Sequence, residues 1–248
     1  MLKEERHNVI LHEVNLHNKV LTTWLVDRLG VSEDTIRRDL NELAETGRII
    51  KVHGGALSKS FHNSFSPSDV YAPTEKKIIA QKAARLIQNG MFVLTTGGTT
   101  ILEMARALPP ELHATFFTGS LPVAYEYSQH PNIDVILIGD RLLKSSKITV
   151  GGAAIEQIRQ VKADLCFLGT NAIDLHAGLT DNDRDVVQIK KAMIESSTRV
   201  ISLAISEKIN TAQRLKVCNI NSIDTIITEL NPGNDLLQPY RAAGLDMI

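Results

Sequence analysis

The run from Ser58 to Thr74 is the feature that most constrains how this chain folds. It holds Ser58, Ser60, Ser64, Ser66 and Ser68 with Pro67 and Pro73, and it keeps no apolar period. That is the composition of an interdomain connection. It parts the 248 residues into a small segment, residues 1–57, and one of ordinary domain size, residues 75–248. Hydrophobic residues make up 43% of the chain, enough for a sizeable core. No fixed-period repeat and no low-complexity tract complicates the division.

Before the linker the pattern is helical. Val9, Ile10 and Val14 mark the apolar face of a first helix. Thr22 is the expected cap of a second, with Leu25, Val26 and Leu29 facing inward and Gly30 ending it. Ser32 caps a third, with Glu33 and Asp34 suited to its positive first turn. Ile36, Leu40 and Leu43 form that helix's buried stripe, and Gly47 follows its end. Ile49, Ile50 and Val52 then read as a short strand running into Gly54-Gly55. Helix, helix, tight turn, helix and β-wing is the order of a winged helix-turn-helix.

After the linker, short apolar runs alternate with helical stretches. Phe92–Leu94, Thr115–Phe117, Val135–Ile138, Asp164–Leu168, Val200–Ala204 and Thr225–Thr228 are the expected strands. Helices fall over Thr99–Leu108, stopped by Pro109-Pro110, around Ala124 and Tyr127, and over Val187–Glu195. Such alternation predicts an α/β fold with a Rossmann-like, doubly wound parallel sheet. Ligands of such sheets lie at the carboxyl ends of the strands.

The formal net charge is −1, so bulk electrostatics does not draw this chain to nucleic acid; any basic surface must be local. Cys166 and Cys218 stand apart, outside any CxxC pair, and read as buried thiols with no metal site. The charged start, Met1 to Arg6, is not a signal peptide, and no apolar run approaches membrane-spanning length. A cytoplasmic protein with no membrane partner and no cofactor is expected.

Two regions carry chemistry. On the third helix Thr35, Arg37, Arg38 and Asn41 are available to the outer face, and Arg48, Lys51 and His53 extend the basic surface over the wing. Arginine forks onto guanine or onto phosphate. A solvated charged face accounts for any one of these residues alone, and Asp39, Glu42 and Glu45 offset the local charge. In the second domain Thr95-Thr96-Gly97-Gly98-Thr99-Thr100 joins a strand to a helix, and Thr118-Gly119-Ser120 follows the next strand. Glycines admit close approach of an anion, and helix-start amides and hydroxyls hold phosphate oxygens. One such turn is weak evidence. Two, with Lys208 following a further strand at the same sheet end, favour an anionic ligand.

The combination resembles the DeoR family of bacterial transcriptional regulators. In the first domain the resemblance rests on Val31-Ser32, Thr35-Ile36-Arg37-Arg38-Asp39-Leu40, Leu43, Gly47 and His53-Gly54-Gly55-Ala56. In the second it rests on Gly98-Thr99-Thr100, Ser120-Leu121-Pro122, Asp164 with Phe167-Leu168-Gly169, Gly178-Leu179-Thr180, Lys190 with Ala192-Met193-Ile194, and Ser206 with Lys208. It covers nearly the whole chain. The resemblance implies DNA contacts from Ser32, Thr35, Arg37 and Arg38, with the wing at His53, Gly54 and Gly55 near the backbone. It implies a sensor domain similar in fold to ribose-5-phosphate isomerase. It also implies an effector that is a phosphorylated sugar or related metabolite of carbohydrate metabolism, whose binding most often relieves repression.

Five positions depart from the family pattern. Thr96 stands for an aspartate, Gly119 for an asparagine, Asp140 for a glycine, Val186 for a glutamate and Ile205 for an acidic residue. These changes remove polar contacts to sugar hydroxyls more than they remove the phosphate cradle. The expected function is that of a sequence-specific, operator-binding repressor under metabolite control, acting as a homodimer or homotetramer. A sugar-phosphate isomerase-like enzyme is the competing reading, and a DNA-binding protein whose sensor fold takes no ligand is another. Against an enzyme, Asp140, Asp174, Asp181 and Asp185 read as solvated caps, and His130 and His176 lack any nucleophile or metal spacing.

Overall fold

The structure, a computed structural model, describes residues 1–59 and 70–248. They form two compact units, Met1–Tyr71 and Ala72–Ile248. The run expected to be a linker falls mostly on residues 60–69, outside the described residues. Its flanks belong to regular elements. Ser58 closes a strand and donates its hydroxyl proton to Asn15 Oδ1 at 2.8 Å, while Pro73 and Thr74 open a helix.

The first unit runs α1 (Lys3–His17), β1 (Lys19–Leu21), α2 (Thr22–Leu29), α3 (Glu33–Glu45), β2 (Ile49–Val52) and β3 (Gly55–Ser58). Ile10, Val14, Leu25, Ile36, Leu40 and Leu43 form its core, and each such side chain contributes ~1.5–3 kcal/mol on burial. Val9 is only half-buried; Leu11 and Leu16 take the buried places on α1. Gly30 ends α2 in the left-handed region, φ +64°, where its N–H donates to the Val26 carbonyl. Ser32 caps α3 as expected, its Oγ accepting from Thr35 N–H at 3.3 Å.

Thr22 is not a cap. Leu21 is the N-cap of α2, and Thr22 is its first helical residue, donating its N–H to the Gly54 carbonyl at 2.8 Å. The reason is β1, a strand with a single buried side chain, Val20, which gives no readable alternation. It pairs with β3 and completes an antiparallel sheet of order β1-β3-β2. The chain therefore enters α2 already braced by the wing.

Asp39 differs more from expectation. It is not a surface charge offsetting the arginines. It is buried on α3, where Arg6 grips both carboxylate oxygens and His7 Nε2 lies 3.0 Å from Oδ1. Two residues of α1 thus fix the rotation of α3 about its own axis. Burial pushes the Asp39 carboxyl up, but the hydrogen bonds from Arg6 and His7 outweigh it, and the net shift is downward.

The second unit is built on a seven-stranded sheet. In chain order it contains α4 (Pro73–Ala84), β4 (Phe92–Thr95), α5 (Thr99–Arg106), β5 (Thr115–Thr118), α6 (Leu121–Tyr127), β6 (Asp134–Leu137), β7 (Arg141–Leu143), β8 (Ile148–Val150), α7 (Gly152–Arg159), β9 (Ala163–Gly169), β10 (Ala172–Asp174), β11 (Gly178–Asp181), α8 (Arg184–Glu195), β12 (Ser197–Leu203), β13 (Leu215–Cys218), β14 (Thr225–Ile227), α9 (Gln238–Ala242) and β15 (Asp246–Met247). The sheet order is β15-β14-β12-β9-β4-β5-β6, parallel throughout. Phe116 packs on Tyr127 of α6, ring centres 4.4 Å apart, while Leu94 and Phe117 join Ala154, Ile158 and Met193 of α7 and α8. Helices therefore cover both faces, as the alternation predicts. The β7-β8 hairpin and the antiparallel sheet β10-β11-β13 were not anticipated. Their strands are mostly three or four residues long, too short for a period to show.

Trp24, the chain's single tryptophan, lies in the first unit and reports its unfolding. Asp39→Ala leaves Arg6 without its acceptor and is expected to cost about 3 kcal/mol in a urea titration followed by Trp24 fluorescence. Because the folded pKa of Asp39 lies below its unfolded value, the clamp's stabilisation is complete above ~pH 5 and fades as acid protonates the carboxylate. Asp39→Asn flattens that acid limb.

Candidate functional site

The outer face of α3 carries four of the expected residues. Arg37 and Arg38 are exposed, and Arg37 Nη2 pairs with Glu33 Oε1 one turn earlier at 2.7 Å. A pair this exposed is worth ~0–1 kcal/mol and yields readily to phosphate. The Ser32 and Thr35 hydroxyls lie 2.9 Å apart at the start of the helix. Asn41 is exposed, and its Oδ1 accepts from Lys51 Nζ, which ties α3 to β2 of the wing. Arg48, Lys51, His53 and Gly54 are exposed along the wing. Ser32, Thr35, Arg37, Arg38, Asn41, Arg48, Lys51, His53 and Gly54 thus belong to one small unit, on the third helix and on the wing that follows it.

Gly55 is different. It is buried, and a Cβ there would lie 2.0 Å from the Val20 carbonyl oxygen. The glycine lets β3 approach β1; it is part of the frame and presents nothing to solvent. Gly54 supplies the wing's turn with φ +76°.

In the second unit a crevice opens among the carboxyl ends of β4 and β5, the β7-β8 hairpin and α8. Its polar lining includes Thr96, Gly97, Gly119, Ser120, Thr149 and Lys190, and its apolar walls include Ile138, Ile148 and Val186. Of the expected ligand residues it gathers Thr96, Gly97, Gly119 and Ser120. Gly98, Thr99, Thr100, Thr118 and Lys208 are not in its lining. Gly98, with φ +108°, is the N-cap of α5; Thr99 and Thr100 are half-exposed on its first turn. Thr118 is fully buried, its Oγ1 accepting from Ser120 N–H at 3.2 Å. Thr96 also has structural work: its N–H donates to the Phe167 carbonyl at 3.1 Å, and its Oγ1 accepts from Gly169 N–H at 2.8 Å. These bonds hold β4 to β9 beyond their ladder.

Three lysines lie buried in this unit. Lys190 Nζ donates to the Gly169 carbonyl at 2.8 Å and to Asp181 Oδ2 at 2.7 Å. Lys208 Nζ donates to the Thr170 carbonyl at 2.7 Å and forms no ion pair among the described residues. Burial, then the neighbouring charges of Lys76 and Lys190, push the Lys208 ammonium down to about 7. Burial likewise takes Lys76, on α4, down to about 8. Sequence reading found Lys208 and noted Lys190 only as part of a string. Lys76 carried no signal, because its helix shows no site motif.

Of the four acidic candidates, Asp181 departs from expectation. Asp181 is no solvated cap: it is buried, bonded to Lys190, Asn171 and the Asn182 N–H, and held well below the usual carboxylate range by those contacts despite its burial. Asp140 accepts from Arg141 N–H at the start of β7 and from Ala153 N–H at the start of α7, Asp174 from His176 and Ala177, and Asp185 pairs with Arg141. His130 Nε2 lies 2.8 Å from the Pro109 carbonyl oxygen. Cys166 is a buried thiol, pushed up to about 12 by desolvation; Cys218 is half-buried and raised to about 11. Among the described residues no cluster of His, Cys, Asp and Glu is placed to hold a metal, and no helix is long and apolar enough to cross a membrane.

A winged helix-turn-helix joined to a doubly wound sheet with this crevice defines a helix-turn-helix transcriptional regulator. Residues 6–61 match the model of the DeoR-like helix-turn-helix domain, and residues 72–230 that of the DeoR C-terminal sensor domain. The chain is 31% identical to the HTH-type transcriptional regulator GolR of Listeria innocua, over 99% of this chain and 98% of that one. It is 32% identical to the HTH-type transcriptional regulator GlpR of Haloferax volcanii, over 100% and 98%. It is 32% identical to the glycerol-3-phosphate regulon repressor of Escherichia coli K12, over 96% and 95%. The chain belongs to the DeoR family of transcriptional regulators. A ribose-5-phosphate isomerase of Methanocaldococcus jannaschii superposes with a TM-score of 0.40 and 16% identity over 54% of this chain and 53% of that one, too slight a likeness to carry an argument.

Gly55→Ala tests the frame of the wing. The new methyl meets backbone, not a movable side-chain end, so the Trp24-monitored stability of the first unit is expected to fall by ~1–3 kcal/mol or more.

Proposed function

We propose that this chain is an operator-binding repressor released by a phosphorylated sugar or related anionic metabolite. Residues 1–57 read DNA, and residues 75–248 sense the effector and bring copies together. The observation that carries the sensor reading is Lys208. A buried ammonium that among the described residues is hydrogen-bonded to a neutral carbonyl and makes no ion pair, beside two more lysines, is costly unless an anion joins it. Gly97, Gly119 and the Ser120 hydroxyl, which line the crevice, and Gly98, Thr99 and Thr100 at the start of α5, outside that lining, are the donors proposed to close on a phosphate with Lys208. Lys190 is neutralised by Asp181 and serves to orient the site.

The crevice's free space is about 20 Å³, room for a single water. A sugar phosphate therefore enters only by displacing a wall, and Ile148 of the β7-β8 hairpin is the wall built on a short two-stranded element. The apolar Ile138, Ile148 and Val186 suit a ligand recognised more by its anion than by its hydroxyls. Effector control then needs a difference in affinity for the DNA-competent and DNA-incompetent arrangements. The reading is non-enzymatic: Asp181 is neutralised, and Asp140, Asp174 and Asp185 already serve backbone or arginine. None of these four carboxylates is left poised as an acid or base. Turnover of pentose or hexose phosphates by the full chain is the outcome that reverses this.

Two sets of variants test the proposal. With an operator selected from random DNA, Arg37→Ala and Arg38→Ala each weaken binding by ~1–3 kcal/mol where they read a base. Where they touch phosphate they lower the salt slope by about 1 instead. Unchanged affinity in both sinks the recognition surface. For the sensor, a thermal-shift panel of glycerol 3-phosphate, pentose phosphates, hexose phosphates and inorganic phosphate is run on the full chain. Lys208→Met abolishes the ligand-induced shift while leaving the ligand-free Tm unchanged or raised. Because the bound anion favours charged Lys208, binding takes up a proton and weakens as pH rises above about 7. A flat profile between pH 6.5 and 9 places the anion elsewhere.

A further inference from the structure

We propose that the free edge of β6 is the surface on which a second copy of this chain pairs, strand to strand, about a twofold axis. The proposal deepens the reading that the repressor works as more than one copy by naming the surface that joins them.

The sequence of β6 does not match its exposure. Val135-Ile136-Leu137-Ile138 is an unbroken apolar run, the pattern of a parallel strand covered on both faces. Leu165-Cys166-Phe167-Leu168 in β9 has the same pattern and is buried throughout. Yet Ile136 is 46% and Leu137 47% exposed, and successive residues of a strand point to opposite faces. β6 is therefore open on both sides. It also ends the sheet. The Asp134 and Ile138 N–H groups donate inward, to Ala114 and Thr118 of the β5 side, so by alternation Val135 and Leu137 direct theirs outward, where no strand of the described residues pairs. Edges left unpaired are ordinarily blunted by charge, proline or a bulge; β6 has only Asp134, at its start.

The occupant follows from complementarity. Leu121 and Tyr125, one turn apart on α6, are 37% and 62% exposed. By register Leu137 lies on the sheet face that α6 covers and Ile136 on the other, so a partner strand on this edge covers apolar side chains on both faces. An edge strand is complementary to its own copy. Antiparallel pairing centred on Ile136 sets Val135 opposite Leu137 twice, so both outward residues are satisfied. It sets Asp134 opposite Ile138, Asn132 opposite Asp140 and Pro131 opposite Arg141, so no like charges meet. A parallel pairing in register would stack Asp134 on itself. In the antiparallel arrangement the two Ile136 residues form a non-hydrogen-bonded pair with Cα atoms ~4.5 Å apart, within disulfide reach.

The test uses the full chain in sedimentation velocity, with Ile136→Lys/Leu137→Lys and, separately, Ile136→Cys. Both positions are exposed in the single chain, so Trp24 fluorescence and far-UV circular dichroism serve as controls for folding. The expected result is a wild-type mass of two chains or a multiple of two. The double-lysine variant halves that mass, with an at least tenfold weaker association constant. Ile136→Cys oxidises to a covalent dimer of wild-type shape. Retention of the wild-type mass by the lysine variant, or absence of the cross-link while wild type is dimeric, overturns the β6 surface and leaves the multi-copy reading standing. A wild-type chain that is monomeric while it saturates its operator overturns both.

Discussion

A buried ammonium group with no ion pair among the described residues, Lys208, is the charge to which the second unit gives least support. In a parallel sheet every strand ends on the same side, so the turns after β4, β5, β9 and β12 collect along one line. Here that line holds Gly97, Gly119, Thr170 and Lys208. Lys190 meets its electrostatic requirement through Asp181, and that pair locks α8 to β11 while the Gly169 carbonyl locks it to β9. Among the described residues the Lys208 ammonium is hydrogen-bonded to the Thr170 carbonyl and makes no ion pair. The same fold thus contains one lysine that stabilises the frame and one whose charge the frame alone does not support. The difference between them is one carboxylate.

The first unit applies the same physics with the opposite outcome. One of its buried carboxylates, Asp39, is met by Arg6 and His7. That has a consequence for the basic surface. In the Thr35 to Leu40 string, Arg37 and Arg38 point out while Asp39 points in, so the exposed face is more positive than its composition suggests. A formal net charge of −1 is then compatible with a DNA-binding face, because one of the acidic residues nearest the arginines is spent inside.

What the sequence made legible and what it did not divide along physical lines. Long apolar periods and caps carried α3, the parallel sheet and the turn at Gly97-Gly98, since each depends on residues close in the chain. β1, the β7-β8 hairpin and β10-β11-β13 were not legible, because their strands are too short to show a period and are fixed by partners far away in sequence. The same holds for individual residues. Gly55 looked like part of a DNA-facing wing, but its need for glycine comes from Val20. Asp181 looked like a solvated cap, and only the approach of Lys190 shows it to be internal. Lys76 lay on a helix with no motif, and its place near Lys208 is a property of packing.

The two proposals about the second unit meet at one element. The β7-β8 hairpin supplies Ile148 to the crevice wall, and it is also braced on the sheet's edge. Thr149 Oγ1 donates to the Ile138 carbonyl at 2.6 Å, immediately past β6, and Thr149 N–H donates to Gly119 in the crevice at 2.8 Å. An effector that moves this hairpin therefore pulls on the end of the strand proposed to join two copies. No long pathway is needed, since a single residue is bonded to both places. A coupling of ~1–3 kcal/mol, the usual size of an allosteric effect, is comparable to the net value of one or two such hydrogen bonds. By reciprocity, locking two copies at β6 must change effector affinity by the same factor that effector binding changes their association.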